Sequence, residues 1–296
     1  MGIKSINNRA DRRLNSVLVM LSGGTALLLM LIVLFLLNES WPFLANGWGG
    51  GLWPNFFHSQ GWYPLEGQFG MRPMILASLA VTLGAIVVAL PVGLACAIFL
   101  EFYARASVAQ GFRLLIHLLA GMPSVVFGLW GLTRLVPLIA GWQPPGASLL
   151  AAILVLSLMI LPTIALTSAS ALSSVPRELI AGSMALGMRR KTQILNIVLP
   201  AARPGITSGA LLATARALGE TMAVLMVAGN VVQNPSGLFE PVRVLTANIA
   251  LEMAYAMDNH RASLFASGLL LTLLVWLLSW FAHRVTRAGL EVHKHG

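Results

Sequence analysis

Long runs of apolar residues, separated by shorter polar stretches, are the dominant pattern of this 296-residue chain. A helix of about 20 apolar residues is long enough to cross the hydrocarbon core of a bilayer. Runs of this length or longer occur at about 17–37, 74–100, 113–140, 147–172, 205–232 and 262–283. The pattern therefore predicts an all-α integral membrane protein with about six transmembrane helices.

The first apolar run resembles a retained helix more than a cleaved leader. It is longer than the core of a typical signal peptide, and no clear small-residue cleavage site follows it. The predicted organisation is an N-terminal stretch at 1–16, a first transmembrane helix at 17–37, a connecting loop at 38–73, a core at 74–283 with short helices at 175–204, and a tail at 284–296.

Composition supports a membrane protein and argues against nucleic-acid binding. Hydrophobic residues make up 57% of the chain and charged residues only 10%, whereas soluble domains carry about 25% charge. The net charge is +9, but the basic residues are scattered between apolar runs and form no stripe on a polar face. Their distribution therefore indicates membrane topology.

The basic residues predict the orientation, because Lys and Arg concentrate in cytoplasmic loops. One side of the predicted topology collects Lys4, Arg9, Arg12, Arg13, Arg105, Arg113, Arg177, Arg189, Arg190, Lys191, Arg203, Arg284, Arg287 and Lys294. The other side holds Arg72, Arg134, Arg243 and Arg261. We expect both termini to lie in the cytoplasm.

Two charged residues interrupt the fifth apolar run. Arg216 and Glu220 are four positions apart, so a continuous helix places them on nearly the same face. If that helix begins near Gly205, Arg216 lies about 16 Å along its axis, close to the middle of the membrane. Each charge at that depth costs roughly 2.5–3.5 kcal/mol on insertion scales.

Two interpretations of the pair remain open. It could be an internal ion pair that neutralises itself or fastens a neighbouring helix. Alternatively, Arg216 holds an oxyanion through its planar fork of donors, and Glu220 restrains the guanidinium so that the anion can leave. Hydroxyls that could assist are those of Thr221 and, less directly, Ser78, Thr82 and Ser124, although each can also bond to its own helix.

The polar segment at 175–204 predicts two short helices joined by a glycine. Pro176 and Glu178 are typical of a helix start, and Gly187 separates this helix from an amphipathic one that runs to Leu199-Pro200. Such an elbow suits docking into a groove on a partner protein. An elbow that lies on anionic lipid headgroups is the alternative.

The elbow resembles a motif of binding-protein-dependent ABC importer permeases. Gly187, nine further residues and then Ile197-Val198-Leu199-Pro200 match the end of their EAA loop. The chain departs from the motif at its start, since the Glu-Ala-Ala positions hold Ala181, Gly182 and Ser183. Glu178 lies three residues before the position of the motif glutamate.

Further segments resemble the PstC-type permeases of phosphate importers. These are 78–102, 119–132 and 215–224 followed by Gly229-Asn230, and the resemblance extends over about 66–285. It implies a MetI-like fold of the type I importers in the plasma membrane of a prokaryote. It also implies that Arg216 and Glu220 line a phosphate route, and that Glu178, Ala181, Gly182, Ser183, Gly187, Leu199 and Pro200 contact an ATPase.

The resemblance also implies partners and energy source. The expected partners are a PstA-type second permease, two copies of a PstB-type ATPase that uses ATP and Mg²⁺, and an external PstS-type phosphate-binding protein. The chain itself has no Walker-type loop, no nucleophile–base pair and no ligand-spaced Cys/His set in its spans, so we expect no catalytic residue, bound cofactor or metal. A PstA-type subunit and a permease for sulfate or molybdate are the alternatives within transport, and an intramembrane enzyme is the alternative outside it.

Overall fold

A computed structural model describes the backbone of residues 9–50 and 61–291 and the side chains of residues 13–45, 61–280 and 284. Residues 1–8 of the predicted N-terminal stretch, 51–60 of the predicted loop and 292–296 of the predicted tail lie outside these ranges. The helices are α1 (Arg9–Gly50), α2 (Arg72–Ile98), α3 (Ala106–Gly121), α4 (Ser124–Trp130), α5 (Val136–Ala140), α6 (Leu149–Ser173), α7 (Arg177–Ala185), α8 (Arg190–Gln193), α9 (Leu199–Leu218), α10 (Met222–Val227), α11 (Leu245–Glu252) and α12 (Asp258–Glu291).

The remaining regular elements are short. Three π-helical turns, at Phe99–Tyr103, Gly131–Leu135 and Ile194–Val198, extend or join neighbouring helices. Strands β1 (Trp62–Tyr63) and β2 (Gln68–Phe69) form an antiparallel hairpin around a 3₁₀ turn. We call the end of the molecule that carries this hairpin the hairpin end, and the opposite end, with α7 and α8, the elbow end. The predicted all-α class is confirmed.

Within the described residues, four helices are long and apolar enough to cross a membrane alone. They are Arg13–Ala45, Arg72–Tyr103, Leu149–Ser173 and Asp258–Trp280. They match four of the six predicted spans, although α1 and α12 continue beyond the predicted bounds at both ends. The segment 38–73, predicted as a loop, therefore begins as helix and ends with the hairpin and the first turn of α2.

The predicted third span, 113–140, is not a single helix. It is a bent pair in which α3 and the helical stretch Ser124–Ala140 meet at 94°. The bend lies at Met122 and Pro123, whose ψ angles of 135° and 142° are extended. Proline lacks an N–H donor and disfavours helical geometry in the preceding residue, which explains the position of the break.

The predicted fifth span, 205–232, is also broken. Helix α9 ends at Leu218, residues 219–221 are not helical, and α10 ends at Val227. The first break coincides with Gly219, a poor helix former, and is held by a bond from the Thr246 hydroxyl to the carbonyl of Glu220 (2.9 Å). Beyond α10, Gly229 and Asn230 adopt positive φ angles of 85° and 56°, which no α-helix accommodates.

The core is centred on α6, which packs against α2 and α9 through small residues. A Cβ on Gly209 of α9 would lie 2.7 Å from Cβ of Thr167, and a Cβ on Gly205 would lie 2.6 Å from Cβ of Ala171. The Gly205–Gly209 pair therefore has the close-packing role that its small-xxx-small spacing predicts.

Gly209→Val should destabilise the protein by separating α9 from α6. Overpacking of a dense core costs about 1–3 kcal/mol, so we expect a lower Tm for the purified chain in detergent. Gly111→Val is the matched control, because Gly111 is exposed on α3 and has no heavy atom within 4 Å of the added Cβ. Equal Tm shifts in the two variants would contradict close packing at Gly209.

Candidate functional site

Arg216 lies in the last turn of α9 with its side chain exposed. Its one described hydrogen bond runs from Nη1 to Oγ1 of Thr163 on α6, at a long 3.4 Å. Among the described side chains it forms no ion pair. The guanidinium therefore keeps nearly all of its donors available to a ligand or partner.

Glu220 does not lie on the same helix as Arg216, so the predicted i,i+4 pair on one helix face is wrong. The reason is the end of α9 at Leu218, which places Glu220 in the break before α10. There its Oε1 accepts a hydrogen bond from the backbone N–H of Ala223 (3.0 Å). This bond satisfies one of the free N–H groups at the start of α10.

Two of the predicted hydroxyl residues, Ser78 and Thr82, lie at a small cleft beside Glu220. Ser78 is buried, donates to the carbonyl of Met74 (2.8 Å) and accepts from the N–H of Leu245 (3.0 Å). Its hydroxyl therefore already donates one hydrogen bond and accepts another within the fold. Ser78, Thr82 and Glu220 line a narrow cleft with room for about one water molecule.

The other three predicted residues lie outside this cleft. Arg216, Thr221 and Ser124 do not line it. The Thr221 hydroxyl makes a long 3.4 Å bond to the carbonyl of Gly219, and Ser124 is half-buried at the start of α4. The structure therefore brings Glu220 together with Ser78 and Thr82, and Arg216 together with Thr163.

The elbow has the predicted helix–glycine–helix form. Helix α7 ends before Gly187, whose φ of 71° allows the chain to turn. On the exposed surface of α7 and the turn lie apolar side chains, among them Met184 (61% exposed) and Leu186 (79% exposed). Of the predicted ATPase-contacting residues here, Glu178, Ala181, Gly182 and Gly187 are exposed and Ser183 is buried.

The second arm of the elbow, residues 190–198, does not end at Leu199-Pro200 as predicted. It continues through the π turn Ile194–Val198 directly into α9. Pro200 cannot donate a backbone hydrogen bond, and local π geometry accommodates such residues without ending the helix. The arm and the helix that carries Arg216 are therefore one uninterrupted element.

A buried polar network at the hairpin end was not predicted from the sequence. Glu252, 6% exposed, accepts from Arg243 through Oε1 (2.7 Å). Its Oε2 accepts from the indole N–H of Trp62 (2.6 Å) and lies 2.9 Å from Nε2 of His260. Arg243 also donates to Asn248 Oδ1 (3.0 Å). The network fastens the hairpin, α11 and the start of α12 to one another.

Two signals in the sequence could have drawn attention to this network. Glu252 is an acidic residue in a stretch that is otherwise largely apolar, and Arg243 and His260 are the nearest basic partners on either side. Thr163 had no comparable signal, because its hydroxyl differs from those of other span residues only in its distance to Arg216.

Comparisons with known proteins agree on the family. The family model for the inner membrane component of binding-protein-dependent transport systems matches residues 89–288. The probable ABC transporter permease protein YqgH of Bacillus subtilis is 37% identical over 92% of this chain and 91% of its own. The phosphate transport system permease protein PstC of Mesorhizobium japonicum is 33% identical over 76% of this chain and 75% of its own.

Solved structures support the MetI-like fold. A chain of the MetNI methionine ABC transporter in an inward-facing conformation superposes with a TM-score of 0.60 at 21% identity, over 77% of this chain and 99% of the other. The resemblance to importer permeases, and among them to the PstC type, is confirmed. The chain is therefore a multi-pass membrane protein that belongs to the family of inner membrane components of binding-protein-dependent transport systems.

Proposed function

We propose that the chain is a permease subunit of an ATP-driven importer that moves inorganic phosphate across the plasma membrane by alternating access. The observation that carries this proposal is the similarity to PstC-type phosphate permeases over about three quarters of the chain. The family relationship supports a transport subunit without catalytic activity, and ATP hydrolysis is assigned to a separate ATPase with Mg²⁺.

Arg216 is the residue we assign to anion binding. In the isolated chain its guanidinium is exposed and free of carboxylates among the described side chains. A free Arg fork forms two parallel charge-assisted hydrogen bonds with a tetrahedral oxyanion. The Thr163 hydroxyl lies beside it. Glu220 lies in the break between α9 and α10, where its charge can repel the anion and favour its release.

The exposed face of α9 near Arg216 faces the pathway in this proposal. A PstA-type second permease subunit completes that pathway from the other side. An external PstS-type binding protein delivers phosphate at the hairpin end, and both chain termini lie in the cytoplasm. This orientation agrees with the strong excess of Lys and Arg at the elbow end.

The elbow is the surface we assign to the ATPase, two copies of which, of PstB type, serve the permease pair. The exposed apolar side chains of α7 suit a groove on such a partner. Ala181 and Gly182 occupy motif positions and are exposed, and Glu178 is exposed one turn earlier. Because the second arm is continuous with α9, movement of the elbow reaches Arg216 along one helix.

Transport by the reconstituted four-component system tests the proposal. We expect ATP-dependent uptake of radiolabelled phosphate into proteoliposomes, with unlabelled phosphate as the strongest competitor and sulfate or molybdate at least about tenfold weaker. The competition is needed because the Arg216 fork alone does not separate tetrahedral oxyanions. Stronger competition by sulfate or molybdate would instead identify a permease for another oxyanion. If uptake requires a PstC-type subunit in addition to this chain, this chain is instead the PstA-type subunit.

A further inference from the structure

The joint between the two arms of the elbow has little stiffness of its own. Gly187 lies at the joint, and among the described residues no heavy atom beyond its two chain neighbours lies within 4 Å of the position that its Cβ would take. Backbone bonds from Gly187 to Met184 (2.9 Å) and from Met188 to Ser183 (3.1 Å) close the end of α7 without reaching the second arm. The angle between the arms therefore depends on contacts between their side chains.

Gln193, on the second arm, bridges the joint. Its Nε2 donates to the backbone carbonyl of Ile180 (3.0 Å) and to the hydroxyl of Ser183 (2.6 Å), both on α7. The side chains of Gln193 and Ser183 are buried, at 6% and 2% exposure. Among the described side chains, Gln193 alone hydrogen-bonds from the second arm to α7. Buried bonds of this kind fix geometry, because water does not compete for them.

Helix α7 has few other attachments to the rest of the molecule. It spans nine residues, and Ser183 is its one buried residue. Ile180 packs in part against a small apolar cluster that includes Leu172 and Val198. A helix this short is marginal without tertiary contacts. Force applied to α7 therefore passes to the second arm through the Ile180 contact and the Gln193 bridge.

We propose that Gln193 is a positioning residue for transport. Its amide group holds the elbow at a fixed angle, so that a displacement of α7 is passed through the second arm to α9 and Arg216. The inference rests on the proposed function, in which an ATPase moves α7. Without the bridge the elbow bends at Gly187, and the ATPase completes its cycle while α9 moves less.

Gln193→Leu in the complete reconstituted transporter tests this role. Leu fills part of the same buried space with a somewhat shorter apolar side chain and removes both hydrogen bonds. We expect the phosphate transported per ATP hydrolysed to fall by about three- to tenfold, the effect of one or two neutral hydrogen bonds on an equilibrium. The rate of ATP hydrolysis and the yield of ATPase subunit that co-purifies with the permease should stay close to those of the unmodified complex.

Two further variants separate positioning from folding. Ser183→Ala removes one of the two acceptors and leaves the Ile180 carbonyl, so the fall should be smaller than for Gln193→Leu. Thr192→Val is the matched control, because Thr192 is the exposed neighbour on the same arm and makes no described side-chain hydrogen bond. Its ratio of phosphate to ATP should be unchanged.

Three outcomes would overturn the inference. The first is an unchanged ratio of phosphate to ATP in Gln193→Leu, and the second is an equal fall in Thr192→Val. The third is a fall that follows loss of the ATPase subunit from the purified complex, which would make Gln193 part of the docking surface. An unmodified complex that hydrolyses ATP but moves no phosphate would contradict the proposed function itself, and this inference with it.

Discussion

Arg216→Gln should reduce ATP-driven phosphate uptake by about 10- to 100-fold, since hydrogen bonds to a charged group contribute roughly 1.5–3 kcal/mol. Gln keeps much of the length and polarity of the side chain but removes the charge and the fork. Arg216→Lys keeps the charge without the bidentate geometry. Its uptake rate should therefore lie between those of Arg216→Gln and the unmodified protein. Initial rates of radiolabelled phosphate uptake into proteoliposomes measure both effects.

Arg203→Gln is the control for this experiment. Arg203 is exposed on the same helix, three to four turns closer to the elbow, and has no described ion pair. The same substitution there should leave uptake within about twofold of the unmodified protein, the range of an exposed surface charge. Equal losses at the two positions would show that α9 needs positive charge in general, and normal uptake by Arg216→Gln would remove Arg216 from the phosphate route.

Glu252→Ala should have the largest effect on stability. The substitution leaves Arg243 without its carboxylate and the indole N–H of Trp62 without an acceptor in a buried site. Removal of one partner from a buried ion pair costs about 3–5 kcal/mol. We expect a large decrease in Tm in detergent, and cleavage of the hairpin end by protease at temperatures at which the unmodified protein resists it.

Two companion variants separate loss of the buried ion pair from loss of a carboxylate in general. Glu252→Gln keeps one carbonyl acceptor and the volume of the side chain, so its Tm should fall less than that of Glu252→Ala. Glu66→Ala removes a carboxylate from the exposed turn of the hairpin, where it has no described side-chain bond, and should leave Tm nearly unchanged. A Glu252→Ala protein as stable as Glu66→Ala would show that the network does not hold the hairpin end together.

The parts of the fold that could be predicted from the sequence are those set by neighbouring residues. Apolar runs of sufficient length correctly predicted four spans, and Pro176 together with Gly187 correctly predicted the elbow. Prolines were ambiguous, because Pro91 and Pro162 lie inside continuous helices whereas Pro123 lies at a 94° bend. In a bundle, neighbouring helices can satisfy the groups that a proline frees, so the residue itself does not reveal which outcome occurs.

The parts that could not be predicted depend on residues far apart in the chain. The break after Leu218 is held by Thr246, 26 residues beyond Glu220, and Trp62 meets Glu252 across 190 residues. The spacing of Arg216 and Glu220 indicated a helical pair because the expected helix was continuous. The role of Arg216 in anion binding therefore stays a prediction, whereas the predicted geometry between the two charges was wrong.

The length of α1 has a consequence for the hairpin end. At 1.5 Å per residue its 42 residues extend about 63 Å, whereas the hydrocarbon core is about 30 Å thick. Even a tilt of about 40°, the upper end of the observed range, places only about 26 residues inside that core. Phe43, 5% exposed, lies beyond the apolar run and packs edge-on against Phe69 of the hairpin. The C-terminal part of the first helix thus continues beyond the hydrocarbon core and packs against the hairpin.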